Sequence, residues 1–209
     1  MKYWLGICLL AMAIAAPVSA EEKAPVVDET FDAPLSKKWT KQNGAWKVDS
    51  GALKVSQQKV DNHIAAFRYK HELQDATIQV DFQMQGARIF HLGFDPVKGE
   101  LKKKGHLYSV VLTDNKMIVQ LSRDKNIETS KNENLATAEI DLVAGKTYSL
   151  MLTMKGDQVD VSLTQKGSSQ SVKATARHPS FHVKKPGLVF RVGGADDKTV
   201  HLERVRVWN

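Results

Sequence analysis

The chain of 209 residues carries 30 Lys and Arg against 23 Asp and Glu, a formal net charge of +7, with a single cysteine, Cys8. The charge is dispersed. Its one run, Lys98 with Lys102-Lys103-Lys104, reads as a solvated loop without interleaved stacking aromatics, which excludes nucleic acid as a partner. With one cysteine there is no disulfide framework, so burial alone must hold the fold together.

Residues 1–20 read as a cleaved secretory signal. Lys2 opens it, Trp4 to Ala16 is an almost unbroken apolar run, and Val18-Ser19-Ala20 has the small-residue spacing of a cleavage site. The apolar run is shorter than the roughly 20 residues a spanning helix needs. The mature chain is therefore expected in the periplasm or outside the cell, with no membrane insertion of its own. Residues 21–26 read as a linker and residues 27–209 as one domain, long enough to bury a core.

Val27 to Phe31 is a candidate first strand, and a loop leads on to Trp39. In Gly44 to Val55, the pairs Trp46/Val48 and Leu53/Val55 alternate with polar residues either side of Asp49-Ser50-Gly51, the pattern of a hairpin with one buried face. Trp46 reads as a core anchor. His63 to Tyr69 is the next strand. Ala76 to Met84 is the clearest one, with Ile78, Val80, Phe82 and Met84 alternating with Thr77, Gln79, Asp81 and Gln83. After Gln85-Gly86 the chain returns through Ala87 to Phe94, where His91 lies opposite in parity to Phe90, Leu92 and Phe94.

The stretch from Gly105 to Lys125 organises the rest. His106 to Thr113 and Met117 to Ser122 flank the turn Asp114-Asn115-Lys116, and the first run is apolar on both faces, as a covered interior strand would be. It starts at a histidine and leaves through Arg123-Asp124-Lys125. Arg123 to Asn134 is polar and reads as a mobile loop. Leu135 to Asp141 reads as an edge strand. Thr147 to Met154 and Val159 to Leu163 form a hairpin across Lys155-Gly156-Asp157, followed by strands at Val172–Ala176, Leu188–Val192 and Thr199–Trp208. Inward parity in the last strand slips between Leu202 and Val205, which predicts a bulge near Glu203-Arg204. No window has helical periodicity outside the leader. The fold class is therefore all-β, an antiparallel two-sheet jelly-roll sandwich.

The sequence from Glu29-Thr30-Phe31-Asp32 to Trp39, then Gly44-x-Trp46-x-Val48-x-x-Gly51-x-Leu53, resembles the concanavalin A-like lectin/glucanase superfamily. Within it the chain is similar to secreted bacterial 3-keto-disaccharide hydrolase-like and laminin G-like domains. Asp81-Phe82, Gly105-His106-Leu107, Ala144-Gly145 and the closing Val205-Arg206-Val207-Trp208 extend the likeness over nearly all of the mature chain. The resemblance implies the jelly roll and a carbohydrate ligand, an oligosaccharide or polysaccharide, at the concave face or its rim. It does not fix an activity, because one fold hosts many functions. The laminarinase-like glycosidases of the superfamily carry Glu-x-Asp-x-x-Glu. Here Glu139-Ile140-Asp141 starts that pattern, but Leu142 to Gly145 supply no third carboxylate.

The polar residues grouped by the central hairpin are the candidate site. His106, Asp124 and His63 are the candidate catalytic groups, and Asp61, His91, Tyr108, Arg123 and Lys125 the candidate ligand-binding ones. Strands 87–94 and 106–113 bring His91 near His106 if they pair, but whether the two share a face depends on register. No cofactor is predicted, although Asp196-Asp197 after Gly193-Gly194 could hold calcium. Three functions remain open: a glycan-binding domain, a hydrolase of 3-keto-disaccharides or related glycosides, and an adhesion domain.

Overall fold

Period-two patterning gives each ribbon one face to bury. The structure, a computed structural model that describes residues 23–209, pairs these ribbons into two antiparallel sheets. The leader expected over residues 1–20 lies outside the described residues. The strands begin with β1 (Val27–Glu29), β2 (Trp39–Asn43), β3 (Ala45–Asp49), β4 (Ala52–Ser56) and β5 (Ala65–Leu73). They continue with β6 (Ala76–Gln85), β7 (Ile89–Phe94), β8 (Tyr108–Thr113), β9 (Lys116–Leu121) and β10 (Glu133–Glu139). The last five are β11 (Thr147–Lys155), β12 (Gln158–Gln165), β13 (Ser171–Arg177), β14 (Lys185–Gly193) and β15 (Thr199–Trp208).

One sheet has seven strands in the order β10-β9-β8-β7-β14-β5-β2. The other runs β13-β12-β11-β6-β15-β4-β3, and β1 continues the edge of β15 beyond β4. The edge strands β10 and β13 lie against each other and close one side of the sandwich. This is the all-β antiparallel sandwich the alternation predicts.

The inward residues of β6 (Ile78, Val80, Phe82, Met84) meet those of β7 (Phe90, Leu92, Phe94) and of β8 (Tyr108, Val110, Leu112) in one continuous core. Trp39 is the aromatic hub, with ring centroids 4.7 Å from Tyr69 and 5.0 Å from Phe67. Its indole N–H donates to Glu29 Oε2 at 3.0 Å, which satisfies its polar end inside the apolar layer. Trp46 stacks on Phe67 at 4.1 Å, as expected of a core anchor. The bulge falls where the parity slip predicts it, with the register of β15 against β6 shifting between Leu202 and Arg204.

β14 is positioned by two features that alternation does not announce. At Gly187 any side chain would begin 2.0 Å from the Tyr69 carbonyl oxygen, with φ at +151°, so glycine alone lets β14 close on β5. Lys185 is wholly buried. Its ammonium donates to the carbonyls of Phe181 (2.6 Å), Val183 (2.8 Å) and Gln74 (3.3 Å). Burial, opposed by Asp75, lowers its pKa to about 8. The amine ties the short turn at Pro179–His182 to the end of β5.

Candidate functional site

The antiparallel register fixes which side chains meet on the outer face of the seven-stranded sheet. His91 on β7 lies directly across from Arg191 on β14 and Val111 on β8. Two residues further along the same face, Gly93 lies across from Val189 and Ser109, and Ser109 across from Gln120 on β9. Successive outward residues therefore form parallel rows in which polar groups alternate with the buried valines Val111 and Val189. Gly93 makes room in them: a Cβ there would fall 2.7 Å from Ser109 Oγ, so the serine side chain lies over the buried glycine and Ser109 reaches the cleft.

Two loops rise beside this face. The connection after β7 carries Asp95 and His106, and His106 Nδ1 is hydrogen-bonded to Asp95 Oδ1. The other oxygen of Asp95 accepts from Arg68 Nη2 at 2.9 Å and Nε at 3.2 Å. The connection after β9 contributes Ser122, Arg123, Lys125 and Asn132 to the same cleft of about 190 Å³, which His91, His106, Ser109, Gln120 and Arg191 complete. This second loop, expected to be mobile, carries its own fastenings. Asn132 Oδ1 accepts from Arg123 N (2.9 Å), and Ser130 Oγ from Asp124 N (2.9 Å). Lys125 N donates to the Lys104 carbonyl at 2.9 Å, and Asn126 Nδ2 to that of Lys102 at 2.9 Å. The lysine run of the first loop is thus partly a staple: Lys103 Nζ donates to the Ser122 carbonyl. Gln120 is held between Asn134 (2.9 Å) and Asn132 (3.0 Å).

The electrostatics of the cleft are uneven. Burial would raise the Asp95 carboxyl, but His106 and then Arg68 outweigh it and hold Asp95 below the ordinary carboxylate value. Burial, reinforced by the charges of Arg191 and His106, lowers His91 to about 4, so its imidazole is neutral at physiological pH. Arg191 is 8% exposed. Its Nη2 and the Nδ1 of His91 are buried with no hydrogen-bond partner. Such orphaned groups are rare in folded proteins and concentrate where a ligand or water completes them.

Of the eight residues named from sequence, four meet here: His91, His106, Arg123 and Lys125. Register places His91 and His106 on one cleft. Asp61 and His63 lie elsewhere, beside the turn at Lys59–Asp61. Asp61 Oδ2 accepts from Gly44 N at 2.5 Å, and His63 Nδ1 lies 2.7 Å from the Ile64 carbonyl, next to a separate hollow shared with Gly194 and Asp196. Asp124 folds into its own loop, where Oδ1 accepts from Lys104 N (3.0 Å) and Asn126 N (2.9 Å). Those N–H groups lower its carboxyl below the usual value. Tyr108 points between the sheets, packed on Phe181 (4.3 Å) and Phe94 (4.8 Å), and full burial pushes its hydroxyl well above 10. Its parity with Val110 and Leu112 makes it a core residue, which removes it from the ligand-binding group.

Sequence reading missed Asp95, Arg68 and Arg191. A signal for two of them was present: single arginines inside the apolar runs Ala65–Tyr69 and Leu188–Val192. No group of three or more His, Cys, Asp or Glu side chains converges among the described residues. The Asp197 carboxylate of the candidate calcium turn is paired with Lys198 at 3.1 Å.

No family model and no curated protein sequence matches the chain. Solved structures do. The carbohydrate-binding module CBM66 from Bacillus subtilis superposes with a TM-score of 0.58 at 18% identity, over 82% of this chain and 96% of that one. SCLam, a non-specific endo-β-1,3(4)-glucanase of family GH16, gives 0.62 at 12% identity over 88% and 90%. The winged bean acidic lectin, solved with methyl-α-D-galactose, gives 0.59 at 10% identity over 87% and 96%. The chain therefore has the concanavalin A-like fold of lectins and glucanases, as the sequence resemblance implied.

Proposed function

We propose that this is an exported saccharide-binding domain that seats a sugar ring between His91, Arg191, Ser109 and Gln120. The observation that carries the reading is a polar cleft cut into the outer face of a sheet whose other face is core. His91, Arg191, Ser109 and Gln120 converge on it. Sugars present hydroxyls at many angles, and fixed polar groups around a small hollow complement them. The volume, about 190 Å³, is below the roughly 300–1,000 Å³ of pockets for drug-sized ligands, and suits one ring of a longer chain that continues into solvent. Carbohydrate binding by the structural neighbours supports the same reading, and the apolar run Trp4 to Ala16 supports export.

Replacing Gln120 by Trp tests it. The larger side chain fills the cleft and lowers saccharide affinity by more than about 100-fold, equivalent to roughly 3 kcal/mol, as measured by calorimetric titration with glycans selected on an array. Unchanged affinity sinks the reading.

One observation favours a second reading, a hydrolase of 3-keto-disaccharides or related glycosides. His106 is held at Nδ1 by a carboxylate, the arrangement that orients an imidazole for proton transfer. A retaining or inverting glycosidase works with two carboxyl groups across the bond, and none of the residues lining the cleft is a carboxylate. Binding is for that reason the primary reading. Release of product from a 3-keto-glycoside by the purified protein, abolished in His106→Ala, would reverse the order.

A further inference from the structure

Cations around the cleft outnumber the anions available to them. Asp95 is engaged on both oxygens, by His106 on one and by Arg68 on the other. Arg191, Arg123 and Lys125 make no ion pair with any described residue, although Arg191 is more than nine-tenths buried and its Nη2 has no partner at all. Asp95 favours the Arg191 charge from a distance, but burial outweighs it and no ion pair forms. A guanidinium removed from water with so little compensation is costly, and folded proteins keep such a group where something else neutralises it. Arg123 and Lys125 stand on the opposite wall and are exposed. Three cationic groups thus face one small hollow whose lining contains no carboxylate.

We propose that the saccharide recognised here is acidic, carrying a carboxylate or sulfate that lies between Arg191 and the Arg123/Lys125 wall. This deepens the saccharide reading of the same cleft and rests on it. The fork of a guanidinium matches either oxyanion with two parallel N–H donors to two charged oxygens, whereas a single hydroxyl of a neutral sugar offers one uncharged acceptor. Neutral His91, cross-strand from Arg191, adds a ring nitrogen that can donate to the same oxyanion or accept from a neighbouring hydroxyl.

The chain is basic overall, so the test must separate a built site from bulk attraction. Titration calorimetry of the mature protein is run with trigalacturonate, a sulfated trisaccharide and neutral cellotriose. Two double variants accompany it: Arg123→Gln with Lys125→Gln on the cleft, and Lys155→Gln with Lys173→Gln on the other sheet, matched in charge. The expected result is that at least one acidic trisaccharide binds at least tenfold more tightly than cellotriose. The cleft variant loses at least tenfold of that affinity, and the charge-matched variant less than twofold. Preference for trigalacturonate assigns the anion as carboxylate, and preference for the sulfated sugar assigns it as sulfate. Cellotriose binding as tightly as the better of the two acidic sugars overturns the inference and leaves the saccharide reading standing. Equal losses in the two variants also overturn it, because bulk charge would then explain the binding. Failure of every sugar to bind overturns both. Arg191→Gln serves as a further variant, and the exposed pair keeps the test decisive should that protein fail to fold.

Discussion

The two outward faces of the sandwich are built by the same alternation and end in opposite electrostatic states. On the eight-stranded sheet the polar side chains satisfy one another. Asp81, only 3% exposed, accepts from Gln79 at 2.8 Å and pairs with Lys166 at 3.3 Å. Lys166 also reaches Glu203 at 3.6 Å, and Glu203 accepts from Gln83 at 2.5 Å and Thr147 at 3.2 Å. Thr175 donates to Asp160 at 2.7 Å, and Arg204 forks onto Asp28 at 2.7 Å; Arg206 Nε is the exception without a partner. On the seven-stranded sheet, Arg191 and His91 are left incomplete beside a hollow. A closed network stabilises and specifies a surface, whereas an open one costs stability and is retained where a ligand closes it. That difference separates a structural face from a recognising one more sharply than composition does.

The largest stability effect that would sharpen this contrast is a pH dependence. His91 has a folded pKa of about 4 against an ordinary 6.5. Between those values the unfolded chain binds a proton that the folded one refuses, so stability falls as pH drops from 6.5 towards 4. The full loss is about 3 kcal/mol. Unfolding free energies from urea titrations at pH 7 and pH 4 should therefore draw together in His91→Gln by about that amount relative to the parent. An unchanged gap would mean that His91 is not sheltered by the cleft.

Smaller, and opposite in sign between the faces, are the effects of removing one charge from each. Asp81→Asn breaks a closed network and lowers stability by about 1–2 kcal/mol without altering sugar affinity. Arg191→Met takes an unpaired charge out of a buried position and raises stability by about 1 kcal/mol while removing the preference for acidic sugars. Denaturant titration of both variants checks the signs. If both are destabilising to a similar degree, Arg191 has a partner within the fold and the contrast fails.

The strands were legible because burial on one face writes itself as period two. Ile78 to Met84 and Tyr148 to Met154 announce their inward sides residue by residue, and the slip at Glu203 announces a bulge. His91, His106, Arg123 and Lys125 could be named because they interrupt or end such ribbons near the central hairpin. Tyr108 shares the parity of Val110 and Leu112, which places it in the core and not among ligand-binding groups. Asp61, His63 and Asp124 were grouped with the others by sequence nearness to strand ends, yet turn geometry aims them at backbone amides or carbonyls of their own surroundings.

Alone, the sequence determined that this chain makes one-sided ribbons, that they stack face to face without disulfides, and which side chains each ribbon turns outward. Those properties are local, since alternation is set by the pleat of a single strand. Only the tertiary structure decided that Arg68, Asp95 and His106 form one chain of hydrogen bonds and that Arg191 is left without an ion-pair partner. These facts depend on the register of β5 against β14 and of β14 against β7, which joins residues about a hundred positions apart. A one-residue slip in either pairing would leave every strand's pattern intact and dissolve the cleft.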